Sequence, residues 1–203
     1  NREYGFQRWY SQLKRMQRYS ITFPGLFPKI LSYGKQGNTA YFDMEYIEGA
    51  ITAHEFLSTC MDEIKIGDFT NKLILEMERM HAPKICSFTE AMALYLYEEV
   101  ELRLLHCYAN PAFYHFLKND TLFFNGVEVP SFKRELDSFK QYFSVYKNPI
   151  ETFSHGNLTL ENILYLPEEN KIVFIDPYEE NIIDSKLADY SQLFQSCNSF
   201  YEL

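Results

Sequence analysis

The sequence predicts a mixed α+β fold in which helix dominates, and three observations carry that prediction. Apolar Phe6, Trp9, Tyr10, Leu13 and Met16 recur at helical spacing over 2–19, with Arg and Lys on the opposite side. Segments 29–33 and 39–47 read as a strand pair joined by Gly34-Lys-Gln-Gly-Asn38, and Lys171-Ile-Val-Phe-Ile175 reads as a buried strand. From 53 to 146 the pattern is mostly helical. A length of 203 residues fits one or two domains, and 18 Phe with 16 Tyr supply ample large side chains for a core.

In chain order, Phe23-Pro-Gly25 and Pro28 end the first helix. Glu48-Gly49 is the expected crossover after the strand pair. It divides the chain into a partial N-terminal lobe, 1–48, and a C-terminal helical lobe, 49–203. Asp68 is placed to cap a helix that runs to His81, and Pro83 stops it. A long helical region, 88–117, breaks near Asn110-Pro111. The stretch 119–130 is turn-rich, and Asn125-Gly126 between apolar neighbours marks a hairpin. Helix resumes from Ser131 to Tyr146, and Pro167-Glu-Glu-Asn170 turns the chain into the 171–175 strand. No internal repeat or low-complexity segment separates independent modules.

Composition narrows the function. A formal net charge of −9 argues against general affinity for nucleic acid, which depends on basic surface, and against anionic membranes. No apolar run approaches transmembrane length. Cys60, Cys86, Cys107 and Cys197 form no Cys-x-x-Cys pair, so free buried thiols in a reducing cytoplasm are expected in place of a zinc site. His54, His81, His106 and His115 are scattered, and each is expected to be a capped or core histidine. Glu98, Glu99 and Glu101 are expected on a solvated face, with recognition of a cationic substrate as a second role. Ser154, His155 and Ser196 lack a Gly-x-Ser-x-Gly elbow, which sets a Ser–His hydrolase aside.

The chemistry is concentrated in Phe153-Ser-His-Gly-Asn-Leu-Thr-Leu-Glu-Asn-Ile-Leu-Tyr165 and in the strand that ends at Asp176-Pro177. A His-Gly turn precedes Asn157, Asn162 follows five positions later, and an apolar strand delivers Asp176. Phosphoryl transfer from ATP is mostly positioning plus electrostatics. One carboxylate takes the proton of the attacking hydroxyl, while a second carboxylate and an Asn amide oxygen hold Mg²⁺ against the phosphates. Mg²⁺ prefers such oxygen ligands and keeps some water. In a kinase catalytic loop the base and the metal-binding Asn have this same separation. Each piece alone is a common turn or strand end, whereas their order and spacing together point to an ATP-dependent kinase.

These residues resemble the aminoglycoside phosphotransferase and choline kinase superfamily, whose loop reads His-Gly-Asp-x-x-x-x-Asn followed by Ile-Asp. Within it they are most similar to bacterial small-molecule kinases found with capsule and surface-polysaccharide genes. Phe42-Asp-Met-Glu-Tyr-Ile-Glu-Gly49 is similar to the family's hinge strand, and Leu73 to His81 to its helix ending in a Met/Leu-His pair. Asp184, Asp189-Tyr-Ser-Gln-Leu193, Gln195-Ser196 and Tyr201 resemble its C-terminal motif. The resemblance implies a protein-kinase-like fold with an incomplete N-terminal lobe and a mostly helical C-terminal lobe. It implies Asn157 at the base position, Asn162 and Asp176 as Mg²⁺ ligands, His155 bracing the loop, and Asp189 pinning it from the following helix. Glu45, Tyr46 and Ile47 would present backbone groups to adenine, and Glu3 would pair with a phosphate-binding Lys. ATP and Mg²⁺ are the implied cofactors. The implied acceptor is a sugar, an amino alcohol or a capsule precursor, bound around 98–146.

The chain departs from that pattern twice. An amide at 157 cannot accept a proton as a carboxylate does, which removes a contribution of about 10²- to 10⁴-fold, while it still orients a hydroxyl. Two accounts of Asn157 stand side by side: a deliberate Asp-to-Asn change made so that a complex survives, or a natural pseudokinase that binds nucleotide or a protein partner. A nucleotidyl or unusual phosphoryl transferase on the same scaffold is a third reading. Family kinases also begin with strands carrying a phosphate-covering loop and a Lys. Here Asn1-Arg-Glu-Tyr4 already reads as the first helix, so the expectation is most of a kinase and not all of one.

Overall fold

The computed structural model describes residues 2–83, 94–145, 151–179, 181 and 184–198, apart from the side chains of 2–4, 115 and 142–145. The chain is mixed α/β with small antiparallel sheets. It divides into two compact units, Asn1–Lys84 with Glu151–Leu203, and Ile85–Ile150. The expected crossover at 48–49 falls inside the first.

The first unit opens with α1 (Arg2–Thr22), β1 (Ile30–Gln36), β2 (Thr39–Met44), β3 (Ile51–Thr52), α2 (Ala53–Thr59) and α3 (Glu63–Met80). The second holds a π-helical stretch (Leu96–Glu101), α4 (Leu102–Tyr108), α5 (Pro111–Leu117), β4 (Thr121–Phe124), β5 (Val127–Pro130) and α6 (Phe132–Val145). The chain then returns to the first unit with β6 (Ile163–Leu166), β7 (Lys171–Phe174) and α7 (Lys186–Asn198).

Helix α1 buries only its second half: Leu13, Met16 and Tyr19 are sealed, whereas Phe6 and Tyr10 are 37% and 43% exposed. The strand pair also differs from expectation. β1 runs on through Gly34 to Gln36, and β2 stops at Met44. Gly34 suits a strand here because the Tyr41 ring lies across it, and an added Cβ would come within 2.9 Å of the Tyr41 hydroxyl. Past the strand ends, the Glu45 N–H donates to Lys29 O at 2.8 Å.

The cap of α3 is Asp62, not Asp68, which lies inside the helix. Asp62 Oδ1 accepts from the N–H groups of Ile64 (3.0 Å) and Lys65 (3.3 Å), so orphan donors are satisfied nearly two turns earlier than expected. The helix tolerates Gly67, a penalty of about 1 kcal/mol. Its buried stripe of Phe69, Leu73, Met77 and Met80 outweighs that, at about 1.5–3 kcal/mol for each large side chain.

The sheet that carries the candidate site has order β3-β6-β7, all antiparallel, with Ile51 opposite Tyr165 and Ile163 opposite Phe174. The β6–β7 turn is closed by Asn170 at φ 44°, a left-handed conformation that Asn tolerates. The core joins Met16 and Tyr19 of α1, the α3 stripe, and Ile163 and Phe174 of β6 and β7. Leu158 and Leu160 drop into it from the loop before β6.

In the second unit Asn110 caps α5 by accepting from the Ala112 N–H at 3.0 Å, which explains the break at Asn110-Pro111. Asn125 (φ 51°) and Gly126 (φ 81°) form the two-residue turn of the β4–β5 hairpin. Residues 88–93 of the expected long helix lie outside the described residues. Glu99 and Glu101 are paired with Arg103 and Lys140 and do not simply face water.

Two further expectations change. His106 is exposed in the last turn of α4, so it is not a core histidine, whereas His81 is buried. Cys60 and Cys107 are half-buried and Cys197 is exposed, so none of the described thiols is buried. Cys86 and the His115 side chain lie outside the described residues. Among the described residues no helix is long and apolar enough to cross a membrane.

Candidate functional site

The loop 153–162 is fixed from several sides before it presents any side chain. Asp189, fully buried in the first turn of α7, accepts from the backbone N–H groups of His155 (2.8 Å) and Gly156 (2.6 Å). His81 Nε2 lies 2.9 Å from the same carboxylate. Gly156 sits at φ 77°, and an added Cβ would fall 2.4 Å from the Asn181 amide nitrogen, so both conformation and space demand glycine. Further along, the Leu160 N–H donates to Ser196 Oγ at 2.9 Å.

His155 is fully buried and works on backbone. Its Nε2–H donates to Ile175 O at 2.8 Å, while Nδ1 accepts from the Asn157 N–H at 3.3 Å. That pair of contacts selects the neutral Nε2–H tautomer. Burial pushes the imidazole pKa down to about 4, with the Asp189 carboxylate pulling partly the other way. The ring thereby joins the loop to the end of β7.

The first half of the loop is tied to α1 as well. Arg15 Nη2 donates to Tyr19 Oη (2.9 Å), Ser154 O (2.7 Å) and Asp184 Oδ1 (2.5 Å), and Tyr19 Oη donates to Ser154 O at 2.7 Å. Burial opposes the Arg15 charge, but Tyr19 and Asp184 outweigh it and hold the guanidinium above its ordinary value. Burial likewise pushes the Tyr19 hydroxyl up.

These anchors bring three predicted residues together. Asn162 Nδ2 donates to Asn157 O at 2.8 Å, and Asn162 O accepts from the Ile175 N–H at 3.0 Å. Asn157 Nδ2 lies 3.4 Å from Asp176 Oδ2, and Gln12 of α1 donates to Asp176 Oδ1 at 2.5 Å. Asp176 holds φ 55°, a left-handed conformation that Asp tolerates better than most residues and that is concentrated at functional sites.

Asn157 and Asp176 line a cleft of about 530 Å³ together with Arg8, Trp9, Gln12 and Glu179, and Arg8 is ion-paired to Glu179. Asn162 stands behind Asn157 and does not itself line this cleft. Glu45, Tyr46 and Ile47 do not line it either; Tyr46 is 86% exposed, and Ile47 O accepts the Ala50 N–H at 3.4 Å. The Glu3 side chain lies outside the described residues. Gln12, Arg8, Trp9 and Glu179 were not singled out from the sequence. The only local signal was that Arg8 and Gln12 stand four residues apart, which puts them on one face of α1.

The donor set can be tested against a hard divalent cation. Among the described residues no three His, Cys, Asp or Glu side chains converge, which excludes a soft or all-protein metal cage there. The Asp176 carboxylate is met by two neutral amides, those of Gln12 and Asn157. Because Asn162 is anchored through its NH₂, its amide oxygen is the atom left to bind a cation. One carboxylate and one amide oxygen suit Mg²⁺, which draws remaining ligands from water and phosphates. In comparisons with protein-family models and with curated proteins, nothing matches this chain.

Proposed function

We propose that the chain is an ATP-dependent phosphotransferase of the small-molecule kinase type, carried on a protein-kinase-like fold. It would move the γ-phosphoryl group of ATP to a hydroxyl of a small metabolite such as a sugar, an amino alcohol or a capsule precursor. The observation that carries this reading is the meeting of Asn157 and Asp176 in one cleft, with Asn162 hydrogen-bonded directly behind. Phosphoryl transfer asks the protein mainly for position and charge, and the surrounding loop is pinned at His155, Gly156 and Leu160.

In this scheme the Asn157 amide orients the acceptor hydroxyl. Asp176 and Asn162 would hold Mg²⁺, which when bound screens the phosphate charge. His155 and Asp189 are positioning residues, since both are fully buried. The backbone of Glu45 to Ile47 is assigned to adenine, and Glu3 to a phosphate-binding Lys, by family resemblance. The amide at 157 favours a second reading, a catalytically silent pseudokinase that binds nucleotide or a protein partner.

Asn157→Asp separates the two. ATP consumption across a panel of hydroxylated metabolites should rise about 10²- to 10⁴-fold on restoring a base. Acceptor-dependent turnover that grows with Asp supports the kinase. Silence in both forms, with Mg-ATP still bound, supports the pseudokinase. If neither form binds Mg-ATP, both readings fail.

A further inference from the structure

A second groove in the first unit, about 510 Å³, shares Glu179 with the cleft above and is otherwise lined by Tyr10, Ser11, Lys14, Arg15, Arg18, Asn181 and Asp184. Two of its acid–base pairs are closed: Arg15 with Asp184, and Glu179 with Arg8. Lys14 and Arg18 have no carboxylate partner among the described residues; Glu180, next in the chain, lies outside them. Instead each cation rests on aromatic faces. Lys14 Nζ is 5.3 Å from the Tyr10 ring centre, and the Arg18 guanidinium is 5.4 Å and 5.5 Å from those of Tyr19 and Phe153.

Two features make this more than a solvated helix face. Lys14 and Arg18 are four residues apart, so they share one face of α1, where like charges oppose helix formation. They do so in a protein whose net charge is −9. Beside them Arg15, only 8% exposed, keeps a buried Nε–H without a hydrogen-bond partner. A buried donor left unmade is costly. Two exposed cations without a carboxylate partner among the described residues, beside the Ser11 hydroxyl, together ask for an oxyanion. Arg in particular recognises phosphate through several N–H groups at once.

We propose that this groove binds the phosphoryl group of an anionic small molecule. Resting on the phosphotransferase reading, we take that molecule to be the acceptor, because Glu179 lines both cavities and the groove therefore adjoins the cleft that holds Asn157. The acceptor would then be a phosphorylated polyol and not a neutral sugar or a cationic amino alcohol.

Calorimetric titration of the whole chain with inorganic phosphate, glycerol 3-phosphate and glycerol tests this. Both phosphates should bind saturably, and glycerol should not. Raising the salt should weaken binding, because exposed charges are screened over about 8 Å at physiological ionic strength. Lys14→Glu, at an exposed position whose aromatic contact is the Tyr10 ring, should weaken phosphate binding at least about tenfold, with circular dichroism and Mg-ATP affinity unchanged, and adding Arg18→Glu should weaken it further. Absence of saturable phosphate binding, or equal binding by the double variant, overturns the groove. Displacement of phosphate by Mg-ATP overturns its assignment to the acceptor. Phosphate binding that is lost in the double variant, in a protein that never binds Mg-ATP, sustains the groove and sinks the phosphotransferase reading.

Discussion

His155 shows how a single buried ring links sequence, fold and solution behaviour. Its two nitrogens are committed to Ile175 O and the Asn157 N–H, and the site is closed to water. Protonation would place a second N–H at Nδ1, where a backbone donor already points. The folded-state pKa is accordingly about 4, against 6.5 for a free imidazole. In that interval the unfolded chain binds the proton and the folded chain does not. The contribution is therefore complete above pH 6.5 and is lost as pH falls toward 4. The gap corresponds to about 3 kcal/mol at about 1.4 kcal/mol per pKa unit. Denaturant unfolding between pH 7 and pH 4 should show this loss in the native chain. His155→Gln should be less stable at pH 7 but flatter across the interval, and parallel profiles for the two proteins would refute the assignment.

At the scale of elements, α3 offers a direct comparison of two aspartates. Asp62 accepts two N–H groups at the helix start, whereas Asp68 is a later residue of the same helix. Asp62→Ala should destabilise the protein by about 1 kcal/mol, and Asp68→Ala by less than about 0.5 kcal/mol, as for a surface position. Urea midpoints of the two variants check this, and a larger effect at 68 would reverse the assignment. The example also shows where sequence reasoning loses resolution. Asp62 and Asp68 both precede apolar-periodic residues, and the choice depends on how far the buried stripe extends backward. The Asn125-Gly126 hairpin was legible because both residues adopt the left-handed backbone that its turn needs. β3 was not legible, because two residues, Ile51 and Thr52, become a strand only through pairing with Tyr165 and Leu164. The same division applies to the site. Asn157, Asn162 and Asp176 were picked out by order and spacing along the chain, and Asp189 by the family resemblance alone. Gln12, Arg15 and Asn181 reach Asp176 and Ser154 across long sequence separations, and no local pattern records such contacts.

Across the whole molecule the apolar burial is uneven. The large cluster built by α1, α3, β6 and β7 lies in the first unit. In the second unit, Leu117 is the one apolar residue among the described ones that is buried, while Phe113, Phe116, Phe123 and Phe124 are each about half exposed or more. Local stability follows buried apolar contact, because segments with little of it open at lower free energy than a packed core. Native-state hydrogen exchange should therefore separate the units. Amides of α3, β6 and β7 should exchange only at the global opening free energy. Those of α4, α5 and the β4–β5 hairpin should exchange at least about a hundredfold faster, a difference of about 2.7 kcal/mol at about 1.4 kcal/mol per factor of ten. Uniform protection across both units would contradict this division and would mean that the exposed aromatics of the second unit are covered in solution. The loop that holds Asn157 belongs to the well-buried unit, with Leu158 fully buried and Leu160 nearly so. Protection at residues 155–162 should thus track α3 and not α4, and Asp189→Ala should lower it locally by leaving the His155 and Gly156 N–H groups unpaired in a buried setting.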